Sequence, residues 1–473
     1  MTSSPPTSTP RVALINPKAT YADEIAQKCF PPLGLLYLAA SLEAAGMDVQ
    51  VVDANALRAS DDGVIDRLRK FGPSVVGMPL YAETLCAGAT TMRSIRAALP
   101  DATLIAGGPQ ASATPAWVLD QVPEADFVLA GEAEETLPQL VNVIETGRRP
   151  REGEILGLYG RGLTAISEAP KLRDLDAVPS PSRRAVEEVY SRKLYYALLV
   201  PHRQIDCIVT SRGCPFRCHF CYNASRQVRY RSIDRCLDEL EELRRKGIRT
   251  VEILDDNFTT SEGRALELLE RIRRQRWGLS LRIKSRADSV TERLMAAARR
   301  AGVYQVSIGA ESGSPALLEA MNKRITVDQL QRAVRLVMDE GIDCHTNWIV
   351  GYPGETRQTL SQTLELVRRM KPTTAGFTVL TPYPGTHVYE QARRDGTLVG
   401  DWSADSTAAP WIRLPWTRSR SDLVRAKTAM MRRIYFRPHY AREYGKRILG
   451  GANWTLARYA AQELGRVLRW RSP

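Results

Sequence analysis

Two successive runs of alternating strand and helix signals constrain the fold more than anything else in this 473-residue sequence. In the first, short apolar or β-branched segments at Arg11–Pro17, Val49–Asp53, Ser74–Pro79, Thr103–Ala106 and Asp126–Ala130 are separated by helical spacing at Pro32–Ala45, Asp61–Phe71 and Thr84–Leu99. Such alternation predicts a doubly wound parallel sheet, with ligands beyond the carboxyl ends of its strands. The second run has strand signals at Ile205–Thr210, Thr250–Leu254, Leu281–Lys284, Tyr304–Ile308, Cys344–Val350 and Gly376–Leu380, with helices at Ile233–Lys246, Gly263–Gln275 and Glu292–Ala301 among them. Six strand-helix units predict a partial (β/α)6 barrel with its site at the same end of every strand. The fold class is therefore α/β: a doubly wound domain, a partial barrel and a basic helical C-terminal tail.

The expected boundaries follow from where periodicity stops. Residues 1–10 are Ser/Thr/Pro-rich and read as disordered, 11–148 as the first domain, 149–200 as a connector, 201–398 as the barrel and 399–473 as the tail. The connector has a charged start, Arg148–Glu154, and a Pro/Ser-rich stretch, Asp174–Ser182. A content of 44% hydrophobic and 25% charged residues is that of a soluble globular protein, and no apolar run approaches a membrane span or a signal core. A cytoplasmic protein is expected, and eight cysteines in so long a chain give no secreted disulfide framework. Of the formal charge of +13, nearly all lies in Arg413–Pro473, which holds 15 Lys and Arg against 3 Asp and Glu.

The loop after the first barrel strand, Ser211–Tyr222, holds Cys214, Cys218 and Cys221 at CxxxCxxC spacing. Three thiolates make an incomplete cage for a four-iron cluster and leave one iron open. A zinc site would need a fourth ligand, for which only His219 or Cys207 is near in sequence, and the odd count excludes simple pairing into disulfides. The other barrel strands end in Asp255-Asp256-Asn257, Arg286, Gly309–Gly313, Gly351–Thr356 and Thr381–Gly385. Each alone reads as a helix cap or a turn. Barrel geometry brings them to one mouth. In the first domain the strand ends are Asn16-Pro17, Leu80-Tyr81-Ala82, Gly107-Gly108-Pro109 and Gly131-Glu132-Ala133, where glycine lets a large flat ligand approach the backbone. No GxGxxG follows the first strand, so spacing alone does not name that ligand.

The cysteine loop, with Phe220 before its last cysteine and Tyr222 after it, resembles the signature of the radical S-adenosylmethionine (SAM) enzymes. The resemblance implies a [4Fe-4S] cluster on Cys214, Cys218 and Cys221, with SAM chelating the open iron and being cleaved to a deoxyadenosyl radical. It also implies SAM contacts: the backbone at Phe220 for adenine, Asp255 and Asn257 near the amine, and Arg286 at the carboxylate. Ser307, Gly309 and Glu311 would then lie beside ribose and methionine, and Gly351 with the following Tyr-Pro-Gly-Glu beside adenine. The segments PPLGLLYLAASLEAAG, GGPQAS and GEAEETL resemble the cobalamin-binding domain that precedes the radical domain in one branch of that family. The corrinoid contacts implied are Asn16, Tyr81, Gly107, Gly108, Gly131 and Glu132. There is no DxHxxG motif and no histidine in the first 200 residues, so cobalamin would be held without a His ligand, with Tyr81 and Leu80 facing its lower side. A scaffold domain without corrinoid is the alternative.

The pairing of domains implies methyl transfer to an unactivated carbon, with relatives that perform oxidative cyclisation, such as the anaerobic magnesium-protoporphyrin cyclase, or rearrangement as alternatives. A tRNA-modifying relative is disfavoured because the first domain has only Cys29 and Cys86 for a second cluster. His345, within a predicted strand, reads as a core residue. In the tail, helices are expected at Leu423–Tyr435 and Asn453–Trp470, with arginines beside Trp454, Tyr459 and Trp470. That composition suits an anionic membrane surface as well as a solvated helix packed on the barrel, and suits nucleic acid less. The expected partners are a small, hydrophobic substrate, a reductant such as flavodoxin or ferredoxin, and a membrane contacted peripherally by the tail.

Overall fold

A computed structural model describes residues 9–18, 28–163, 170–197, 200–222, 225–402, 409–437 and 440. The first sheet has six strands in the order Asp48–Asp53, Arg11–Asn16, Val75–Pro79, Thr103–Gly107, Phe127–Leu129 and Leu158–Gly160. The first five run parallel, as the alternation predicts, and they are buried on both faces. Val12, Ala13, Leu14 and Ile15 in the second position show why: a parallel strand covered by helices on both sides reads as one apolar run. The sixth strand, Leu158–Gly160, pairs antiparallel with Phe127–Leu129 and comes from the segment expected to be connector. Three residues in a charged stretch carry no period to betray it.

The second sheet holds six parallel strands in chain order, Ile205–Ile208, Thr250–Ile253, Ser280–Ser285, Val303–Glu311, Asp343–Val350 and Thr374–Val379. This is the expected partial barrel. Its middle strands alternate: Leu281, Ile283, Val306, Ile308, Cys344 and Trp348 enter the core beneath the outer helices, and the residues between them are polar. Helix starts are fixed by side-chain caps, Ser232 before Ile233–Arg245, Thr326 before Val327–Asp339 and Thr356 before Arg357–Met370.

Between the sheets, Arg183 of the connector is fully buried and bonded to Asp206 (3.0 Å) and Glu239 (2.8 Å), tying the connector to the first barrel strand and its helix. Lys28–Cys29 pairs with Tyr196–Ala197, so the chain before the first helix also lies against the barrel. The first tail helix, Arg420–Tyr435, buries Leu423, Met430 and Ile434, and the Tyr435 hydroxyl both donates to the Ala375 carbonyl and accepts its N–H (2.8 Å each). It is a helix packed on the barrel. The second expected tail helix, Asn453–Trp470, lies outside the described residues. No described helix is long and apolar enough to cross a membrane.

Candidate functional site

The cysteine loop is launched by a small ribbon, Ser211–Arg212 against Arg229–Tyr230. Asp255 fixes its entry. One carboxylate oxygen accepts the N–H groups of Thr210 (2.7 Å) and Ser211 (3.0 Å), and the other accepts both their hydroxyls (2.6 Å each). Gly213 has φ +98°, and a Cβ there would stand 2.4 Å from the Gln227 carbonyl oxygen, so only glycine lets the loop turn off the ribbon. Farther on, the His219 N–H donates to Met321 (3.0 Å), its carbonyl accepts from Val388 (3.0 Å), and Asn322 donates to the Arg217 carbonyl (2.7 Å). The loop is thus held at three points, with Cys214 and Cys218 half-buried and Cys221 exposed.

Neither zinc candidate can join those thiols. The His219 ring is bonded to the Ala320 carbonyl (2.9 Å) and stacked on His387 (4.0 Å), and Cys207 is fully buried against Leu33 and Tyr37. Among the described residues no three His, Cys, Asp or Glu side chains converge as around a single ion. A cubane takes each thiolate on a separate iron, and three thiols without a fourth fit that group.

The residues expected around SAM divide by what already engages them. Asp255, expected near the amine, is buried and fully committed to the ribbon, whereas its neighbour Asp256 accepts from the Gly213 N–H and stands close to Cys214, Cys221 and Lys284. Desolvation in the cleft raises the Asp256 carboxyl, with Lys284 opposing. Asn257 accepts from the Arg286 N–H (3.2 Å) and the Thr259 hydroxyl (3.0 Å), and its buried Nδ2 has no partner, an orphaned donor beside the cluster loop. Arg286, expected at the SAM carboxylate, is engaged elsewhere. Its guanidinium lies 3.6 Å over the Phe216 ring, donates to both Asp288 oxygens (3.1 Å each) and to the Lys323 carbonyl (2.6 Å), and sits 3.8 Å from Cys218 Sγ.

Ser307 accepts from Asn347 Nδ2 (3.0 Å). Glu311 is buried with φ +61° and accepts from Lys323 Nζ (2.8 Å), and a Cβ on Gly309 would meet that same carboxylate at 2.4 Å. Lys323 also lies over Phe220 (5.9 Å), itself half-buried among Tyr352, Val379 and Leu423. The Gly351 N–H donates to Glu355 (2.7 Å), whose carboxyl burial pushes up to about 8. Sequence reasoning missed Lys323 because a lone lysine after a helix carries no pattern. It passed over Asp256 because adjacent carboxylates on one turn cannot be ranked without knowing which points inward.

At the ends of the first sheet, Tyr81 keeps 45% of its surface exposed while Leu80 is wholly buried, so only Tyr81 is available to a flat ligand. Gly107 and Gly108 leave the neighbouring strand end bare of side chains, and Asn16 donates to Asp53 (2.8 Å). Gly131 and Glu132 face protein instead. A Cβ on Gly131 would lie 2.7 Å from the Pro170 carbonyl oxygen, and both Glu132 oxygens bond Arg229 (2.6 and 2.7 Å). Burial works against the Glu132 charge, but Arg229 and Arg212 hold its carboxyl below the usual value. Glu134 takes Arg212 (2.6 Å). At the other flank Tyr383 bonds Glu83, and Gln110 donates to the Pro384 carbonyl (3.4 Å). The strand ends of both sheets therefore face each other across one cleft.

Two family patterns match the sequence, that of the radical SAM superfamily over residues 208–367 and that of the B12 binding domain over residues 24–141. An uncharacterized methyltransferase of Pyrococcus horikoshii is 31% identical over 392 residues, 81% of this chain and 83% of its own. The anaerobic magnesium-protoporphyrin IX monomethyl ester cyclase of Cereibacter sphaeroides is 26% identical over 442 residues, 90% of this chain and 70% of its own. Among solved structures, the radical SAM methyltransferase TsrM from Kitasatospora setae, with cobalamin and a [4Fe-4S] cluster bound, superposes with a TM-score of 0.72 at 19% identity, covering 91% of this chain and 90% of that one. With the cysteine loop and the facing strand ends it describes, the chain belongs to the cobalamin-binding radical SAM enzymes.

Proposed function

We propose that this enzyme is a cobalamin-dependent methyltransferase that adds a methyl group to an unactivated carbon of a small molecule. The observation that carries the reading is that the strand ends of the two sheets, one bearing the cysteine loop and the other Tyr81, are fastened together, at one flank by Glu132 with Arg229 and at the other by Glu83 with Tyr383. When bound, the cluster with SAM supplies hydrogen-atom abstraction and cobalamin supplies the methyl group. The chain's part is placement. Cys214, Cys218 and Cys221 hold the cluster, and Arg286 keeps a positive charge against the Cys218 sulfur. Asp256 and the free Nδ2 of Asn257 offer an acceptor and a donor to SAM's amino-acid end, and Lys323 fixes Glu311 for the same molecule. Phe220 and the Gly351 turn would hold adenine, and Tyr81, with Gly107 and Gly108 leaving room beside it, would hold the corrinoid.

No general base is called for. His345 is held neutral, its imidazole pushed down to about 4 by burial and then by Arg282, and both ring nitrogens are bonded. The exposed side of Cys221 suits a small electron carrier such as flavodoxin or ferredoxin. The basic C-terminal residues support contact with anionic lipid, and failure to sediment with anionic liposomes at low salt removes that part of the reading.

The test is anaerobic purification from cells supplied with cobalamin. About one corrinoid, four irons and four sulfides per chain are expected, and Cys218→Ala should lose the iron and keep the corrinoid. Iron and sulfide without corrinoid would make the first domain a scaffold and overturn methyl transfer.

A further inference from the structure

The concave face of the second sheet carries a polar lane that neither the cluster nor the corrinoid explains. Strand register sets Lys284 beside Ser307, Ser307 beside His345, and His345 beside Thr374. Hydrogen bonds run along it: His345 Nδ1 to the Thr374 hydroxyl (2.6 Å), His345 Nε2 to Asn347 Oδ1 (3.1 Å), and Asn347 Nδ2 to the Ser307 hydroxyl (3.0 Å). A hydrophobic acceptor, expected from the tail, finds no apolar wall here.

Three cations, Lys28, Arg282 and Lys284, come together in this lumen. Arg282 reaches Glu252 by one contact of 3.3 Å, and its buried Nε has no partner. The buried hydroxyl of Tyr304, close to Arg282, has none either. Among the described residues, neither Lys28 nor Lys284 has a carboxylate within ion-pair distance. Asp256 lies near Lys284, and Asp343 lies near Tyr304, level with Arg282 across Gln305, so each cation has a carboxylate in its neighbourhood but only Arg282 makes an ion pair. Lys28 reaches solvent on one side, yet loss of water around its ammonium lowers it, with Arg282 and Lys284 adding to the lowering and Glu252 opposing. His345 feels Arg282 and Lys28 in the same sense. Buried donors without acceptors and cations without an ion pair are costly unless something supplies both. A negatively charged oxygen group does so.

Resting on the methyl-transfer reading, we propose that Lys28, Arg282 and Lys284, with the Tyr304 hydroxyl, bind an anionic oxygen group of the methyl acceptor: a phosphate, a phosphonate or a carboxylate. The Ser307, Asn347 and His345 lane then orients the neutral part of the molecule toward the mouth. Charged hydrogen bonds to a guanidinium or ammonium supply most of the affinity, and the neutral imidazole adds direction without charge.

Methylphosphonate is the probe, followed by phosphorus NMR on the reconstituted holoenzyme. We expect saturable binding, broadening of the resonance when the cluster is reduced to its paramagnetic state, and about tenfold weaker binding in Arg282→Gln and in Lys284→Gln. SAM should leave the affinity within about twofold. Acetate competing as well as methylphosphonate assigns a carboxylate, and acetate competing poorly assigns a phosphate or phosphonate. Absence of binding, wild-type affinity in both variants, or displacement of the probe by SAM would overturn the proposal, the last because the cations would then serve SAM itself. Iron, sulfide and corrinoid contents are measured on every variant. Should Arg282→Gln fail to hold them, Lys28→Gln, altered at an exposed side chain, carries the test. Loss of probe binding with those contents intact in the wild type leaves methyl transfer standing, whereas a wild type without corrinoid defeats methyl transfer whatever the probe does.

Discussion

Glu355 has a carboxyl almost withdrawn from water, accepting from the Gly351 N–H on the turn after the fifth barrel strand. Its folded value of about 8 lies above the ordinary 4.5, so the folded chain binds this proton more tightly than the unfolded chain does. Stability from this group is therefore complete below 4.5 and is lost as pH rises through about 8. We expect the thermal midpoint of the wild type to fall over that window and that of Glu355→Gln to fall less; parallel curves would show that the carboxyl is ionised in the fold. The sequence placed Glu355 on the right turn but gave no hint of its burial, which comes from distant parts of the chain such as Trp416, whose indole donates to the Glu355 carbonyl (2.8 Å). Spacing identified the three cysteines for the opposite reason: their chemistry depends on local separation. Asp255 and Arg286 were legible as strand-end residues but not in what engages them, the Thr210-Ser211 ribbon entry and Asp288, because sequence does not rank such partners.

Among the elements, the helix Arg420–Tyr435 reaches farthest from its place in the chain. Leu423 is wholly buried, with methyl groups 3.1 and 3.2 Å from the position a Gly351 Cβ would take. Truncating it leaves a void directly beneath the glycine turn. Leu423→Ala should cost roughly 2–5 kcal/mol of stability, as buried Leu truncations do, and should weaken SAM binding measured by equilibrium dialysis. Unchanged SAM affinity with lowered stability would confine the helix to a supporting role. The barrel strands were legible because most of them alternate, apolar toward the helices and polar toward the lumen, and the first, Ile205–Ile208, is a short β-branched run before the cysteine loop. Leu158–Gly160 was not, since a short edge strand is defined by the neighbour it pairs with and not by its own period.

At the scale of the whole molecule, the first and last barrel strands each carry a tie to the corrinoid domain. After the first, Arg212 and Arg229 hold Glu134 and Glu132; after the last, Tyr383 and Pro384 hold Glu83 and Gln110. The Glu132 pair is mostly shielded from water, so removing one partner strands a charge at a cost of roughly 3 kcal/mol or more. Glu132→Gln should therefore speed hydrogen exchange in the 211–212 and 229–230 ribbon while leaving the first sheet protected. Exchange unchanged in the ribbon would show that the tie carries no strain between domains. Tied at both ends, the two domains are fastened to each other on both sides of the strand ends, so the spacing that any ligand between them meets is written into four side chains far apart in the chain, Glu83, Glu132, Arg229 and Tyr383.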